Sequence, residues 1–329
     1  MVNQRAGILG TGHSYPEGIL TNEDLAKMVE TSDEWITTRT GIKQRRKAAP
    51  EEYTSLFAVR AARQAIERAR LDPTDIDLLL CATVTPDQIL PSTGCIVQAE
   101  LGAHNAAAMD IVAACSGFLY GVSLADSMIR TGQVRHAVVV GAEILTQYVD
   151  YTDRKTCVLF GDGAGAAVLA PVGEGGRGIL ASKIKSDGRY EEQLFSPGGG
   201  TRKKPTAETL AAGDHFFKMK GNELFKVAVR SMAEISRDVL QTAGVKSDDI
   251  DLFIPHQANQ RITEAVADRL NVDMSRVYSN IAVHGNTSSA SIPIALDECV
   301  EAGRIKEGDL VLMASFGGGV TWGAVLMRW

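Results

Sequence analysis

The chain has 329 residues, of which 45% are hydrophobic and 22% charged, as in an ordinary globular protein with one large core or two domains. It carries 34 basic and 40 acidic residues, and the resulting net charge of −6 argues against nucleic acid as a partner. No run of about 18 apolar residues is present and the N-terminal stretch lacks a continuous apolar region, so we expect neither a membrane span nor a secretory signal.

Cysteine usage points to the compartment. The five cysteines, at positions 81, 95, 115, 157 and 299, are odd in number and show no metal-ligand spacing. Most lie in apolar runs, which indicates free thiols in a reducing compartment rather than a disulfide framework. We therefore expect a cytoplasmic protein without a metal site.

The first predicted elements are an amphipathic helix over 55–71 and an apolar strand within DPTDIDLLLCATVT (72–85). In DIVAACSGFLYGVSLADSMIRTG (110–132), an apolar strand reaches Cys115, turns, and continues as a long helix. A thiol at the positive end of a helix is favoured as thiolate. A buried structural cysteine is the alternative, and this stretch alone does not decide between them.

Further strands are predicted at 136–142 and 163–172. The second follows FGDGAG, which is not GxGxxG and does not lead into a helix, so we interpret these glycines as a closely packed turn rather than a dinucleotide site. The glycine-rich stretch 171–178 is the expected junction between two halves, 1–171 and 172–329. Beyond it, residues 196–214 are polar and aperiodic, which predicts a mobile surface loop.

The second half repeats the first. A helix over 221–244 precedes KSDDIDLFIPHQAN (246–259), as the first helix precedes its own Asp-Ile-Asp strand, and the two motifs lie 174 residues apart. Strands at 309–315 and 321–329 close this half. Repetition over this length indicates a duplicated domain, and alternating helices and apolar strands indicate a layered α/β protein.

Two polar residues of the second half stand at strand-to-helix junctions, where ligand sites gather in α/β proteins: His256 and Asn286. Each alone is typical of an ordinary loop, but with Cys115 they suggest a Cys–His–Asn site. His284 is a rival that the residues alone do not exclude. The glycine-rich turn SFGGGVTWG (315–323) offers free backbone N–H groups for an oxyanion hole.

The chain resembles β-ketoacyl-acyl carrier protein synthase III, a condensing enzyme of the thiolase superfamily. The motifs that carry the resemblance, in chain order, are TSDEWITTRTGIKQRR (31–46), AACSGF (113–118), DRKTCVLFGDGAGAAVL (153–169), GNELFKVAV (221–229), PHQANQRI (255–262), HGNTSSASIP (284–293) and FGGGVTWG (316–323). The resemblance implies a thiolase-like five-layered α-β-α-β-α fold built from two similar halves, and a homodimer. It assigns the triad to Cys115, His256 and Asn286, and the oxyanion hole to the N–H groups of Cys115 and Gly318.

The implied reaction is decarboxylating condensation that initiates fatty-acid synthesis. An acyl group moves from acyl-CoA to Cys115, and malonyl-acyl carrier protein then loses carbon dioxide and attacks the acyl-cysteine to give 3-oxoacyl-acyl carrier protein. His256 and Asn286 stabilise the enolate. Coenzyme A is a substrate here, so the resemblance implies no separate cofactor.

Substrate-binding residues also follow from the resemblance. Trp35 and Arg154 are expected to sandwich the adenine of CoA with Arg39 near its phosphates, and Asn222 and Asn259 to hold the pantetheine arm.

The acidic carrier protein is expected to dock on basic residues of two helices. These are Lys226, Arg230, Arg261 and Arg269. Asp268 departs from the lysine pair that well-known members carry there, which predicts altered docking.

The acyl pocket is expected to include Phe316 and Leu90. The family often has phenylalanine at the position of Leu90, capping the pocket across the dimer, so leucine suggests a starter longer than acetyl.

Three other functions stay open at this stage. One is a specialised synthase or acyltransferase of a secondary pathway with the same triad, and another is a Cys–His–Asn acyl-CoA thioesterase. A non-catalytic partner subunit is the third, and the presence of Cys115 argues against it.

Overall fold

The computed structural model describes residues 5–173 and 176–329, except for the side chain of residue 222. The described strands are β1 (Arg5–Ser14), β2 (Ile19–Thr21), β3 (Gln44–Arg46), β4 (Leu78–Ala82), β5 (Ala107–Ile111), β6 (Ala137–Ile144), β7 (Asp162–Val172), β8 (Gly178–Ser186), β9 (Leu194–Phe195), β10 (Lys218–Met219), β11 (Leu252–Pro255), β12 (Leu310–Gly317) and β13 (Thr321–Arg328). The described α-helices are α1 (Asn22–Ala26), α2 (Asp33–Thr40), α3 (Thr54–Arg68), α4 (Thr93–Leu101), α5 (Gly117–Arg130), α6 (Ala207–Ala211), α7 (Gly221–Ala243), α8 (Gln260–Leu270), α9 (Ile281–His284) and α10 (Ser291–Glu301). Among these helices, none is both long enough and apolar enough to cross a membrane.

Two main sheets lie between three layers of helices. The first sheet has the order β1-β7-β6-β4-β5 and the second the order β11-β12-β13-β8. Helices α3 and α4 cover the outer face of the first sheet, α7 and α8 cover the outer face of the second, and α5 and α10 are packed between the two sheets. The predicted five-layered α-β-α-β-α fold is confirmed.

Apolar periodicity explains these layers. Strands β4 and β6 are buried at every position, as expected for strands with helices on both faces. Helix α7 buries Ala228, Met232, Ile235 and Val239, spaced three or four residues apart along one face, against the second sheet.

The repeated Asp-Ile-Asp motifs form the same local structure. Asp75 and Asp249 each end a short 3-10 turn, and each turn leads into a central strand, β4 or β11. The second aspartate of each motif then ties down a neighbouring strand: Asp77 Oδ2 accepts from His136 N at 2.9 Å, and Asp251 Oδ2 from Leu310 N at 2.8 Å. The halves 1–171 and 172–329 stay our proposed division.

Residues 196–214, which the sequence predicts as an aperiodic loop, contain regular secondary structure. They include helix α6, whose first turn is capped because Thr206 Oγ1 accepts from Thr209 N at 3.2 Å. The segment predicted as a mobile surface loop therefore contains one short helix, Ala207–Ala211, and its mobility stays a prediction. The surrounding strands β9 and β10 pair with each other and carry this segment toward the cavity described below.

A buried carboxylate joins the two halves away from that cavity. Asp297 on α10 is fully buried and accepts hydrogen bonds from Thr11 Oγ1 at 2.6 Å and from Arg68 Nη1 at 2.5 Å. Its other oxygen lies 2.5 Å from His13 Nδ1. Arg68 also pairs with Glu301, whose side chain is 47% exposed.

We expect Asp297→Ala to lower the free energy of unfolding by about 3 kcal/mol or more, because it strands buried polar partners. Glu301→Ala is the matched control, since it removes only an exposed carboxylate from the same arginine and costs at most about 1 kcal/mol. Urea unfolding measures both variants. Equal losses for the two variants would contradict the importance of burial at this junction.

Candidate active site

A cavity of about 1080 Å³ opens between the halves and brings together the three predicted catalytic residues. Cys115 is supplied by the turn before α5, His256 by the end of β11, and Asn286 by the loop between α9 and α10. All three are buried, with 6%, 2% and 7% of their surfaces exposed. The arrangement suits chemistry at a thiol shielded from water.

Cys115 sits in a tight turn rather than at the end of a strand. Strand β5 ends at Ile111, and a 3-10 turn over Ala114–Ser116 carries the cysteine into α5. Ala114 has a φ of +45°, a conformation that costs free energy for a residue with a side chain. This turn presents the thiol to the cavity while its backbone packs against β12.

Burial of the thiol acts against the expectation of an ionised cysteine. Burial raises the pKa of the Cys115 thiol to about 12, although the Ser288 hydroxyl acts in the opposite direction. A shift in this direction favours the neutral thiol at physiological pH.

His256 is neutral for the same reason. Burial lowers the pKa of its imidazole to about 3, so the ring carries one proton at pH 7. Nδ1 lies 2.6 Å from Ser291 Oγ, the first residue of α10, which leaves Nε2 as the nitrogen available to the cavity. The Ser291 hydroxyl can accept from Nδ1 or donate to it, and its choice decides whether Nε2 accepts or donates a proton.

Hydrogen bonds of its backbone hold Asn286 in place, and a hydrogen bond to its side-chain oxygen orients the amide. Its N–H donates to Leu159 O and its C=O accepts from Gly161 N, each at 2.9 Å. The side-chain Oδ1 accepts from Ser288 N at 2.9 Å. Because the amide oxygen is engaged, the Nδ2 donor is the group left for a ligand.

His284, the rival histidine, is engaged elsewhere. Its Nε2 lies 2.8 Å from Glu298 Oε1 on α10. The same carboxyl group accepts from Asn280 Nδ2 at 2.6 Å and from Tyr278 Oη at 3.0 Å. The histidine that lines the cavity is His256.

The glycine-rich turn after β12 lies directly behind the cysteine. A Cβ on Gly317 would stand 2.6 Å from Cys115 N, so only glycine permits this approach. Among the described residues, the backbone N–H of Gly318 has no backbone acceptor, and the N–H of Cys115 contacts its own thiol. Free N–H groups at this point are what the predicted oxyanion hole requires, and the assignment to Cys115 and Gly318 stays a prediction.

The predicted adenine site is compact. The guanidinium carbons of Arg39 and Arg154 lie 4.5 and 4.7 Å from the centre of the Trp35 ring. A base between Trp35 and Arg154 needs a separation of about 7 Å, two contacts of about 3.5 Å each. The sandwich therefore requires Arg154, which also donates to Glu30 O at 2.9 Å, to move away.

Asn259 lines the cavity but has structural partners. Its Oδ1 accepts from Arg261 N at 2.9 Å and caps α8, while its Nδ2 donates to Arg39 O at 3.0 Å. It therefore joins α8 to helix α2, which carries Trp35 and Arg39. The side chain of the other pantetheine candidate, Asn222, lies outside the described residues.

The four basic docking candidates are all exposed. Lys226 on α7 and Arg261 on α8 line the cavity, and Arg230 lies one turn beyond Lys226. Arg269, next to Asp268, lies at the far end of α8.

The two acyl-pocket candidates differ. Phe316 is 5% exposed and lines the cavity beside Cys115. Leu90 is 84% exposed and projects from the surface of this chain. A pocket formed within one chain therefore contains Phe316, and Leu90 contributes only by reaching a second copy.

Sequence reasoning missed several residues that shape the site. Ser288 orients Asn286, Ser291 contacts His256, and Gly317 packs against Cys115. The run of small hydroxyl residues after Asn286 is the signal in the sequence, but nothing in the run says which hydroxyl faces which partner.

Two family models match the chain. The model described as "3-Oxoacyl-[acyl-carrier-protein (ACP)] synthase III" matches residues 109–188, and its "C terminal" counterpart matches residues 240–329. A Symbiobacterium thermophilum protein named beta-ketoacyl-[acyl-carrier-protein] synthase III is 53% identical over 323 residues, 98% of each chain. A Clostridioides difficile protein of the same name is 52% identical over 328 residues, 100% of this chain and 99% of that one. The chain belongs to the β-ketoacyl-acyl carrier protein synthase III family.

Solved structures agree with this assignment. The 3-oxoacyl-[acyl-carrier-protein] synthase III of Aquifex aeolicus is 50% identical with a TM-score of 0.91, covering 98% of this chain and all of that one. The priming β-ketosynthase of the R1128 polyketide pathway is 34% identical with a TM-score of 0.92, covering 100% of this chain and 98% of that one. As a member of the synthase III family, the chain is an acyl-transferring condensing enzyme of fatty-acid synthesis.

We expect Gly317→Ala to slow acylation of Cys115 at least tenfold and to lower the free energy of unfolding by about 1–3 kcal/mol, because the new methyl group must displace the cysteine backbone. Intact-protein mass spectrometry after exposure to an acyl-CoA measures acylation. Gly188→Ala is the control, since a Cβ there meets open space. Normal acylation in the Gly317 variant would contradict the close packing described here.

Proposed function

We propose that the enzyme condenses an acyl-CoA starter with malonyl-acyl carrier protein, using Cys115 as nucleophile and His256 and Asn286 as donors to the enolate. The observation that carries this proposal is a cavity that is lined by all three residues and whose lining also includes Trp35 and Arg154. Acyl transfer and condensation then occur at the same sulfur, and the kinetics are ping-pong.

Acyl transfer starts from two neutral groups. As Cys115 Sγ attacks the thioester carbonyl, its proton passes to Nε2 of His256 and then to the sulfur of departing CoA. The backbone N–H groups of Cys115 and Gly318 stabilise the negative carbonyl oxygen. No free thiolate forms before the substrate arrives, which matches the raised pKa of the thiol.

Condensation uses the same cavity with donors in place of a base. Loss of carbon dioxide from the malonyl group leaves an enolate, whose oxygen accepts from Asn286 Nδ2 and from Nε2–H of His256. This form of the histidine carries its proton on Nε2 whereas acyl transfer needs it on Nδ1, so between the two steps the ring exchanges its proton with solvent and the Ser291 hydroxyl changes from accepting from Nδ1 to donating to it. The enolate carbon attacks the acyl-cysteine carbonyl, the carbon–sulfur bond to Cys115 breaks, and the released thiolate takes up one proton from solvent.

In this proposal, coenzyme A binds at the cavity entrance formed by Trp35, Arg39 and Arg154. Arg154 leaves the face of Trp35 so that adenine can occupy it, and Arg39 stays beside the phosphates. Asn259 contacts the pantetheine arm from the start of α8, with Asn222 as a second candidate. No cofactor is needed for this chemistry.

Carrier-protein docking is proposed on α7 and α8. Lys226 and Arg261 at the cavity mouth attract the acidic partner, with Arg230 and Arg269 farther along the two helices. Asp268 reverses one charge of this surface, so the carrier protein is held mainly near the mouth.

A homodimer is proposed because the first sheet ends in an uncovered edge. Strand β5 is at this edge, and Ile89 and Leu90 are 91% and 84% exposed. In the dimer, Leu90 caps the acyl pocket of the second copy beside Phe316. Leucine leaves more depth than phenylalanine, and we propose starters longer than acetyl. The free thiols keep cytoplasm as the proposed location.

We expect Asn286→Ala to keep Cys115 acylation within about threefold while malonyl decarboxylation falls about 100-fold, the usual effect of losing one oxyanion donor. Cys115→Ala should abolish acylation and retain decarboxylation. The assay supplies acyl-CoA and malonyl-acyl carrier protein, and follows carbon dioxide and product by mass spectrometry.

Two results would contradict this division of roles. One is an equal loss of acylation and decarboxylation in the Asn286 variant. The other is release of free acid without condensed product by the unaltered enzyme, which would indicate a thioesterase.

A further inference from the structure

Glu143 is a buried carboxyl group close to the active site that the proposed mechanism does not use. It lies near the end of β6, is 1% exposed, and is surrounded by neutral hydrogen-bonding groups of the β4–α4 connection and of the 3-10 turn Ser288–Ala290. The proposed condensation does not require an acid at this place. We therefore look to the contacts of Glu143 for its role.

The hydrogen bonds around Glu143 bear on its protonation state. Oε2 accepts from Val84 N at 3.0 Å, from Thr85 Oγ1 at 2.9 Å and from Thr83 Oγ1 at 3.3 Å. Oε1 lies 2.9 Å from Ser289 Oγ, and the same Ser289 oxygen lies 2.9 Å from the carbonyl oxygen of Ala82.

A hydroxyl group has one hydrogen to donate, and Ser289 faces two oxygen atoms at this distance. The carbonyl of Ala82 has no hydrogen of its own, so when the Ser289 proton points toward it, the Ser289 oxygen is left as an acceptor facing Oε1. The contact between Oε1 and Ser289 Oγ is then a hydrogen bond only if Glu143 carries the proton. Burial raises the pKa of the Glu143 carboxyl and acts in the same direction, while hydrogen bonds from Val84, Thr85 and the two serines of the turn act in the opposite direction.

Ser289 belongs to the turn that orients the catalytic amide. The 3-10 turn Ser288–Ala290 follows Asn286, and Ser288 N donates to Asn286 Oδ1 at 2.9 Å. Ser288 has a φ of +49°, a strained conformation that the surrounding contacts must hold. Strand β6 touches this turn twice, through Glu143 and through Gly141, where a Cβ would stand 2.3 Å from Ser289 O.

We propose that Glu143 is a positioning residue that acts as a neutral acid, donating from Oε1 to Ser289 and so fixing the turn that aims the Asn286 amide at the enolate. The inference rests on the proposed role of Asn286. The neutral form also suits the chemistry, because a carboxylate beside Cys115 would oppose the negative charge that develops during acyl transfer.

Glutamine is the decisive substitution. Its side-chain NH₂ can donate to Ser289 while its carbonyl accepts from Val84 and Thr85, so Glu143→Gln reproduces the neutral acid. We expect this variant to keep decarboxylation within about threefold. Glu143→Ala and Ser289→Ala should each lower the decarboxylation kcat at least tenfold, with the KM for malonyl-acyl carrier protein and the rate of Cys115 acylation within about threefold.

Ser123→Ala is the control, because it removes a hydroxyl pair with Ser182 at 3.2 Å on the far part of α5. Equal damage in the Gln and Ala variants of Glu143 would overturn the neutral acid. Retained decarboxylation in Ser289→Ala would overturn the positioning role even if Glu143→Ala fails to fold.

Asn286→Ala, measured in parallel, separates the two proposals. If it keeps decarboxylation, the proposed function of the amide fails. If it loses decarboxylation while Ser289→Ala keeps it, only the role of Glu143 fails.

Discussion

Burial of a thiol and an imidazole in one cavity is the constraint on which the rest of this site depends. Removal from water disfavours ions of either sign, so Cys115 and His256 are both neutral before substrate binds. Charge appears only during reaction and must be met by fixed donors. The backbone N–H groups near Gly317 and the side-chain amide of Asn286 are suited to that task.

The two proposed halves both supply these donors, so the position of one half relative to the other must stay fixed. Asn286 is bonded by its backbone to Leu159 and Gly161 of the first half. Asp297 ties α10 to Thr11, His13 and Arg68 at a second point. Helix α10 begins at Ser291, the residue that contacts His256. The helix that Asp297 holds in place therefore also positions a residue of the active site.

The sequence predicts the elements well because apolar period and duplicated motifs are local signals. The helix at 221–244, the repeated strand entries and the gathering of Cys115, His256 and Asn286 in one cavity all follow from such patterns. The protonation of Cys115 does not, because it depends on how much of the surrounding chain excludes water. Contacts between side chains, such as Arg154 on Trp35 or Ser289 on Glu143, are likewise set by three-dimensional packing.

The rate at which iodoacetamide alkylates Cys115 as a function of pH tests the neutral starting state most directly. The Cys95→Ser variant is suitable because Cys95 is the exposed thiol. With a thiol pKa near 12, the rate should rise about tenfold for each pH unit from 7 to 10 without levelling off. A plateau reached below pH 8 would show a preformed thiolate and would contradict this account.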